Sequence, residues 1–443
     1  MWLLPFFARV SALAVHTFYR LRVAGERVPG SGPVLLVANH PNSLIDPAMV
    51  AAVARRPVRF LAKAPLFGDP QVGWLIRGAG AIPIYRAADD PAKMGGNEDA
   101  FRAAYAALAE GAAVGIFPEG LSHSEPALTP LKTGAARIAL GAAERTGGAF
   151  PIVPVGLVFR RKEAFRSEAL AVVGEPVEWS DLAGEGPAST AAVRELTRRI
   201  DAALREVTLN LERWEDAPLV EWAEEIYAAE FRMPRDPAVR LERLREAAEG
   251  LARLRREEDG AWEKAAREVT RHARLLRVLG LRPADLHARA RLPVAVRWTL
   301  RKLGFFAVAA PLAAVGTAVF YLPYRLTGMV ESRARPSHDV RATFKLLAGF
   351  VVHLLWVALL AGAAGAAWGA GAAVAALVVL PALGAVTLAV RTRGEDAAED
   401  ARRFLRLRRD PDRLEALRVR QRELAEKLES LRRDAVGAER GTG

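Results

Sequence analysis

The apolar residues of this chain fall into runs of different lengths, and these runs predict different kinds of structure. Between residues 31 and 188, short apolar runs alternate with stretches of helical spacing, a pattern typical of an α/β domain. We expect strands at Val34–Ala38, Ala81–Tyr85, Ala113–Phe117, Ile152–Phe159 and Ala171–Val173, and helices at Pro47–Ala54, Asp99–Glu110 and Leu131–Thr146. The pattern therefore predicts an α/β fold with a mixed sheet flanked by helices.

Two later runs are apolar enough to enter a membrane. Residues 346–390 contain no Asp, Glu, Lys or Arg over 45 positions, and a membrane helix needs only about 20. They predict a transmembrane hairpin that turns near Gly365 to Gly371. Residues 304–322 are also free of charge but contain Pro311, so we expect a segment that spans the membrane or, by preference, re-enters it. Basic residues on both flanks of the hairpin favour a cytoplasmic location for those flanks.

The remaining segments are charged and helical. Residues 189–300 show no catalytic spacing and are expected to form a helical region that packs on the rest of the protein. In the tail, residues 391–443, a heptad seam extends over about two and a half repeats: Leu414, Leu417, Gln421, Leu424, Leu428 and Leu431. The seam is equally consistent with a homodimer and with a helix that docks on its own chain.

Charge is distributed unevenly along the chain. There are 63 Lys and Arg against 51 Asp and Glu, a net charge of +12, and the first 63 residues alone hold eight cations and two acids. This basic segment includes residues 1–30, which we interpret as an interfacial membrane helix, and it suits anionic headgroups and phosphates. Interleaved acids and the lack of a recognition motif argue against nucleic-acid binding. The absence of cysteine excludes disulfides and thiolate nucleophiles.

Four segments of the α/β region place polar or conformationally special residues beside expected strands. They are Asn39-His40 with Asp46, Gly80 with Arg86, Phe117-Pro118-Glu119-Gly120 with Ser122, and Val153-Pro154. A carboxylate that holds one nitrogen of a histidine leaves the other nitrogen as a general base. An arginine fork suits phosphate. Each segment alone has an ordinary structural explanation.

In this order the four segments resemble the glycerolipid acyltransferase family, which includes lysophosphatidate and glycerol-3-phosphate acyltransferases. The resemblance covers Val34 to Val173, about a third of the chain. One departure is that five residues separate His40 from Asp46, where the family usually has four. Five residues followed by Asp46-Pro47 resemble the branch of fungal membrane glycerol-3-phosphate and dihydroxyacetone-phosphate acyltransferases.

The resemblance implies a membrane enzyme that transfers a fatty acyl group from acyl-CoA or acyl carrier protein to glycerol 3-phosphate or 1-acylglycerol 3-phosphate, without a cofactor or metal. It implies that His40 is the general base and that Asp46 orients it. The residues implied in substrate binding are Arg86 and Lys132 for phosphate, Glu119 for hydroxyls, Gly120 through backbone amides, and Asn39, Gly80, Phe117, Pro118 and Ser122.

Other acceptors, such as an amino-acid lipid or a glycolipid, remain open at this point, and a membrane-bound hydrolase is a less favoured alternative. Because acyl-CoA and acyl carrier protein are made in the cytoplasm, we expect an integral protein of a bacterial inner membrane. Its catalytic domain would then lie on the cytoplasmic side, in contact with membrane lipids.

Overall fold

The computed structural model describes residues 4–69, 73–85, 97–256, 261–287, 292–334, 341–409 and 411–440. The chain divides into two compact units. The first comprises Met1–Ala217, Arg235–Glu249 and Ser337–Thr343, and the second comprises Pro218–Pro234, Gly250–Pro336 and Phe344–Gly443.

The first unit is built on a seven-stranded sheet. Its strands are β1 (Arg20–Gly25), β2 (Val34–Ala38), β3 (Val58–Lys63), β4 (Ile82–Ile84), β5 (Ala113–Ile116), β6 (Ile152–Phe159) and β7 (Glu168–Val173). Their order across the sheet is β1-β7-β6-β2-β5-β3-β4. All neighbours are parallel except β6 and β7, which are antiparallel. The prediction of a mixed sheet is therefore confirmed.

Six helices accompany this sheet in the described part of the first unit up to residue 206. They are α1 (Leu4–Phe18), α2 (Ile45–Ala54), α3 (Gly73–Gly78), α4 (Asn97–Ala109), α5 (Gly134–Thr146) and α6 (Thr190–Glu206). One core cluster contains Leu35 and Ile152 of the sheet together with Leu108, Ile138 and Leu196 of the helices. β2 and β5 are buried along their whole length because helices cover the sheet.

The N-terminal helix α1 exposes part of its apolar surface. Phe6 is 60% exposed and Leu13 is 69% exposed. The location of this helix in a membrane interface stays a prediction. Phe18 instead turns inward, where it is 6% exposed and packs edge-on against Tyr19 and Phe165. The C-terminal end of α1 is therefore fixed to the α/β unit.

Three apolar helices follow the charged helices α7 (Ala217–Glu230), α8 (Pro237–Arg256) and α9 (Ala261–Leu279). They are α10 (Leu292–Ala334), α11 (Arg341–Trp368) and α12 (Ala370–Arg409). The segments Lys302–Ala334, Thr343–Trp368 and Ala370–Leu407 are long and apolar enough to cross a membrane, which indicates membrane association. α11 and α12 meet at Gly369, where the sequence predicts the turn.

Residues 304–322 lie inside α10, which continues without a break through Pro311 and Pro323. The sequence offered two alternatives for this segment, a span and a re-entrant bend. A re-entrant segment has to reverse its direction, and α10 contains no such reversal. The crossing of the membrane by this helix stays a prediction.

The last helix, α13 (Pro411–Arg440), carries the heptad seam. Leu414 and Leu417 pack in one cluster with Leu276, Leu281 and Leu286, and Leu424 packs in another with Ile226 and Val269. Gln421 is fully buried and donates to Glu230 Oε1 (2.8 Å) and to the Pro283 carbonyl (3.2 Å). The seam thus faces helices of its own chain. A homodimer through the tail stays a prediction.

We expect the docking of α13 to depend on the buried face of the helix. Leu424→Ala should lower the free energy of unfolding of this unit by about 2–5 kcal/mol, because Leu424 is 4% exposed and its removal leaves a cavity. Val419→Ala on the same helix is the control; Val419 is 48% exposed, so the change should stay within about 0.5 kcal/mol. Limited proteolysis in detergent measures the protection of this unit in both variants. Equal protection in the two variants would contradict this packing.

Candidate active site

The first and third predicted segments meet at one edge of the sheet. β2 and β5 are adjacent and parallel, so their carboxyl ends lie side by side, and ligand sites of α/β folds form at such ends. Asn39-His40 follows β2 and the Phe117 segment follows β5. The backbone N–H of His123 donates to the His40 carbonyl (3.1 Å), and the N–H of Ser43 donates to Ser122 Oγ (3.0 Å).

His40 and Asp46 form a hydrogen-bonded pair in which Nδ1 of the ring lies 2.8 Å from Oδ2 of the carboxylate. An ionised carboxylate can only accept, so Nδ1 carries the proton and Nε2 is left with a lone pair. The Asp46 side chain is fully buried, whereas the His40 side chain is 19% exposed. The pair therefore has the form of a general base with a positioned, buried partner.

The five-residue separation between His40 and Asp46 does not move the carboxylate out of reach. The chain turns between them because Ser43 has a left-handed φ of 50°, and the N–H groups of Ile45 and Asp46 donate back to the carbonyls of Asn42 and Ser43. Asp46 then lies in the first turn of α2. The extra residue is thus absorbed in the turn before the helix.

Burial is the main influence on the Asp46 carboxyl and raises its pKa. Four influences lower the pKa: the hydrogen bond from His40, the charge of His40, the hydrogen bond from the Asn42 N–H (2.6 Å) and the positive charge of Lys162. Both hydrogen bonds reach Oδ2. Oδ1 has no hydrogen-bond partner among the residues that the structure describes.

An aromatic stack supports the His40 ring. The ring lies on Phe117 with a centroid separation of 4.1 Å and an interplanar angle of 13°, and Phe117 in turn stacks with Phe60 at 5.8 Å and 10°. A Cβ atom at Gly115 would lie 2.3 Å from the Phe60 ring, so the strand needs glycine at this point. The face of Phe117 also suits a histidine that becomes cationic.

Glu119 is 2% exposed, and both of its oxygens contact protein donors. Oε1 accepts from the His40 N–H (2.9 Å), and Oε2 accepts from the Thr129 N–H (2.9 Å), the Thr129 hydroxyl (3.0 Å) and Nε2 of His123. The Glu125 N–H donates to Nδ1 of His123 (3.1 Å), which places the ring proton on Nε2. This geometry favours a positioning role for Glu119 over the hydroxyl-binding role expected from the resemblance.

Asn39 also serves the fold. Its Nδ2 donates to the Leu157 carbonyl (3.0 Å) and its Oδ1 accepts from the Leu157 N–H (2.7 Å), so the side chain extends the pairing of β2 with β6. The Pro118 carbonyl accepts from the Lys132 N–H (2.7 Å). The Gly120 N–H is used inside its turn, where it donates to the Phe117 carbonyl (3.0 Å).

Lys132 is the expected phosphate contact that the structure places beside the site. Its side chain is exposed and passes Gly120, where a Cβ atom would lie 3.4 Å from the lysine Cγ. Gly80 lies before β4, which is parallel to β3, and therefore at the amino ends of the parallel strands. His40 lies at their carboxyl ends, on the opposite side of the sheet. Arg86 lies outside the described residues.

Sequence reasoning missed two residues that contact the His40 loop. Lys162 follows β6, and its ammonium donates to the Pro41 carbonyl (3.1 Å) and to Ser124 Oγ. Tyr19 follows α1, and its hydroxyl contacts Asn42 and the Lys162 carbonyl. One signal in the sequence could have drawn attention to Lys162: only eight of the 63 basic residues are lysines, so each lysine is an unusual choice in this chain.

Fold and site together define an α/β domain with a hydrogen-bonded His40–Asp46 pair at the carboxyl ends of its parallel strands. Residues 20–158 match the family model described as Acyltransferase. The four segments that carry the resemblance all lie within these residues.

Named relatives are similar to this chain over part of their length. Glycerol-3-phosphate O-acyltransferase 2 of Saccharomyces cerevisiae is 32% identical over 153 residues, which is 33% of this chain and 20% of the relative. Glycerol-3-phosphate O-acyltransferase 1 of the same yeast is 28% identical over 275 residues, 57% of this chain and 36% of the relative. A chloroplastic 1-acyl-sn-glycerol-3-phosphate acyltransferase of Brassica napus is 30% identical over 150 residues, 33% of this chain and 40% of the relative.

The chain thus spans between a fifth and two fifths of the length of these curated relatives. Among solved structures, the 1-acyl-sn-glycerophosphate acyltransferase PlsC of Thermotoga maritima matches 46% of this chain and 78% of that chain. The sequence identity is 22% and the TM-score is 0.35.

The contacts of Glu119 predict that its charge stabilises the domain. In Glu119→Gln an amide NH₂ replaces one acceptor and faces the N–H of His40 or the donors of Thr129 and His123, so we expect a loss of about 1–3 kcal/mol in the free energy of unfolding. Glu125→Gln is the matched control, because the Glu125 side chain is exposed. Thermal unfolding in detergent measures both. Unchanged stability with a raised KM for the acceptor would instead support hydroxyl binding by Glu119.

Proposed function

We propose that this protein transfers a fatty acyl group from acyl-CoA or acyl carrier protein to a hydroxyl of glycerol 3-phosphate or 1-acylglycerol 3-phosphate. The observation that carries the proposal is the His40–Asp46 pair, with Nε2 of His40 available, in a domain of the acyltransferase family. The relatives named for glycerol 3-phosphate and 1-acylglycerol 3-phosphate support this choice of acceptors.

The pair supplies the proton transfer that this reaction needs. The pKa of an acceptor hydroxyl is far above 7, so its proton has to leave as the oxygen attacks the thioester carbonyl. Nε2 of His40 takes this proton while the new C–O bond forms. When the C–S bond breaks, the imidazolium returns the proton to the leaving thiolate. Asp46 and the face of Phe117 stabilise the imidazolium in between.

Acceptor binding in this proposal relies on cations at the rim of the site. Lys132 is exposed beside the Gly120 turn, where its ammonium can contact a phosphate. Arg86 keeps the phosphate role that the resemblance implies. Glu119 keeps His40 in place rather than binding the glycerol hydroxyls.

Removing the base should abolish transfer. We expect His40→Ala to lower kcat by about 10²–10⁴-fold, because it removes the group that takes the hydroxyl proton in the proposed reaction. The assay follows a labelled acyl group from acyl-CoA or acyl carrier protein to glycerol 3-phosphate, 1-acylglycerol 3-phosphate, dihydroxyacetone phosphate, an amino-acid lipid precursor or a glycolipid precursor.

His16→Ala is the matched control for this experiment. His16 is exposed on α1, its ring contacts a carbonyl of its own helix, at Ala12 (2.8 Å), and its removal should leave kcat unchanged. Wild-type activity that survives in His40→Ala would refute the general-base role. Transfer to the amino-acid lipid or glycolipid precursor alone would refute the choice of acceptor.

We further propose that the acyltransferase domain faces the cytoplasm at a bacterial inner membrane, where the acyl donors are made. One ion pair supports a shared side for this domain and the start of α11: Arg341 Nη1 lies 3.1 Å from Glu163 Oε2, and both residues belong to the first unit. Residues in contact lie on the same side of a bilayer.

This orientation can be tested by cysteine labelling, because the natural sequence contains no cysteine. We expect Arg160→Cys and Arg341→Cys to resist a membrane-impermeant maleimide in intact cells and to react after permeabilisation. Trp368→Cys is the opposite control; it precedes the turn at Gly369 and is 79% exposed, so it should react in intact cells. Labelling of Arg341→Cys but not of Arg160→Cys in intact cells would contradict the shared side.

A further inference from the structure

Lys162 joins the two loops that carry the site residues. Its Nζ donates to the Pro41 carbonyl at 3.1 Å and also contacts Ser124 Oγ. Pro41 directly follows His40, and Ser124 directly follows His123. One ammonium group therefore ties the loop after β2 to the loop after β5.

The backbone of Lys162 takes part in a second junction. Its carbonyl accepts from the Tyr19 hydroxyl and from Nδ2 of Asn42 (3.4 Å), and Nδ2 of Asn42 also donates to the Tyr19 hydroxyl at 2.9 Å. Tyr19 is fully buried, and burial raises the pKa of its hydroxyl, so this group stays protonated and remains a donor at neutral pH. Since Tyr19 directly follows α1, this junction fixes the end of α1 to the catalytic loop.

Asn42 connects this junction to the His40–Asp46 pair. Its side chain is held by Tyr19 and Lys162, while its backbone N–H donates to Oδ2 of Asp46 at 2.6 Å. Oδ2 is also the oxygen that accepts from Nδ1 of His40. Asn42 is 1% exposed and Asp46 is fully buried, so water cannot readily replace these contacts.

We propose that Lys162 is a positioning residue for the His40–Asp46 pair, acting through Pro41 and Asn42 and through its charge, and that Tyr19 couples α1 to the same loop. The inference rests on the proposed function, since it assigns Lys162 to the general base of that reaction. Lys162 acts on the pair through other groups and does not touch the reacting atoms.

The charge of Lys162 has a consequence for the pH profile. Among the described residues, the titratable groups that face the Asp46 carboxylate are His40, Lys162 and, through an electrostatic interaction, Tyr19. The cation at Lys162 lowers the pKa of Asp46 against the effect of burial. If this charge is removed, the pKa of Asp46 rises further, and the ionised carboxylate that supports His40 is lost at a higher pH. The acid limb of the kcat profile should therefore move to higher pH.

The test compares Lys162→Met with Lys162→Arg and with a control, Lys427→Met. The Lys427 ammonium pairs with Glu268 on α9, outside the acyltransferase domain. We expect Lys162→Met to lower kcat about tenfold or more, to leave the KM for glycerol 3-phosphate within about twofold and to move the acid limb to higher pH. Lys162→Arg should restore much of kcat because it keeps the charge. Lys427→Met should match the wild type.

Tyr19→Phe separates the junction from the charge. It removes the hydroxyl that holds Asn42 but keeps the ammonium, so we expect a lower kcat with an acid limb close to that of the wild type. If Lys162→Met does not fold, Lys162→Arg and Tyr19→Phe still test the proposal. An unchanged kcat in Tyr19→Phe would overturn the coupling of α1 to the loop.

A second measurement does not depend on turnover. Diethyl pyrocarbonate modifies neutral imidazole, and mass spectrometry of the peptide that carries His40 gives the extent of modification at each pH. We expect the pH at which His40 is half modified to shift in Lys162→Met and to match the wild type in Lys427→Met. A wild type that transfers no acyl group would contradict the proposed function, whereas this pH would still report on the pair.

Two outcomes would overturn the role of Lys162. In one, Lys162→Met leaves three quantities unchanged: kcat, the acid limb of its pH profile, and the pH at which His40 is half modified. In the other, only the KM for glycerol 3-phosphate rises, which would make Lys162 a phosphate contact.

Discussion

The hydrogen bond between a fully buried carboxylate and His40 is the constraint around which this site is arranged. Burial of a charge is costly unless hydrogen bonds and opposite charges compensate for it. Asp46 has the Nδ1–H of His40, the N–H of Asn42 and the nearby ammonium of Lys162 for this purpose, and the first two reach the same oxygen. Displacement of the loop between His40 and Asp46 therefore affects both residues together.

The sheet supplies the rigid reference for this loop. Three neighbouring strands contribute: β2 leads into His40, β5 leads into Phe117 and Glu119, and β6 holds Asn39 through the backbone of Leu157. The ring of His40 is fixed in its plane by Asp46 and on its face by Phe117. In the proposed reaction, a histidine that is held in these ways needs little reorganisation when a substrate arrives.

The sequence predicted most of the sheet and the central pair, for physical reasons that also explain what it missed. β2 and β6 are continuous apolar runs and have the predicted bounds. β1 and β3 were missed because β1, at an edge of the sheet, carries Arg20 and Arg22 and is only partly buried, and β3 carries Arg59. The heptad seam left two docking partners open, because periodicity identifies a buried face but not what covers it.

The contacts of Glu119 and Lys162 were beyond sequence reasoning for a different reason. Glu119 accepts from a backbone N–H that lies 79 positions earlier, and Lys162 donates to a carbonyl that lies 121 positions earlier. Spacing rules describe neighbours on one helix or strand, whereas these contacts exist only after β2, β5 and β6 have been brought together.

The main chain of His40 is held on both sides by partners from the loop after β5: Glu119 binds its N–H and the N–H of His123 binds its carbonyl. The position of His40 is thus set by contacts within the protein. Residues at the rim, such as the exposed Leu121 and Lys132, can change without disturbing it. If the proposed function is correct, such a separation lets the acceptor preference of the domain diverge in evolution while proton transfer by His40 stays constant.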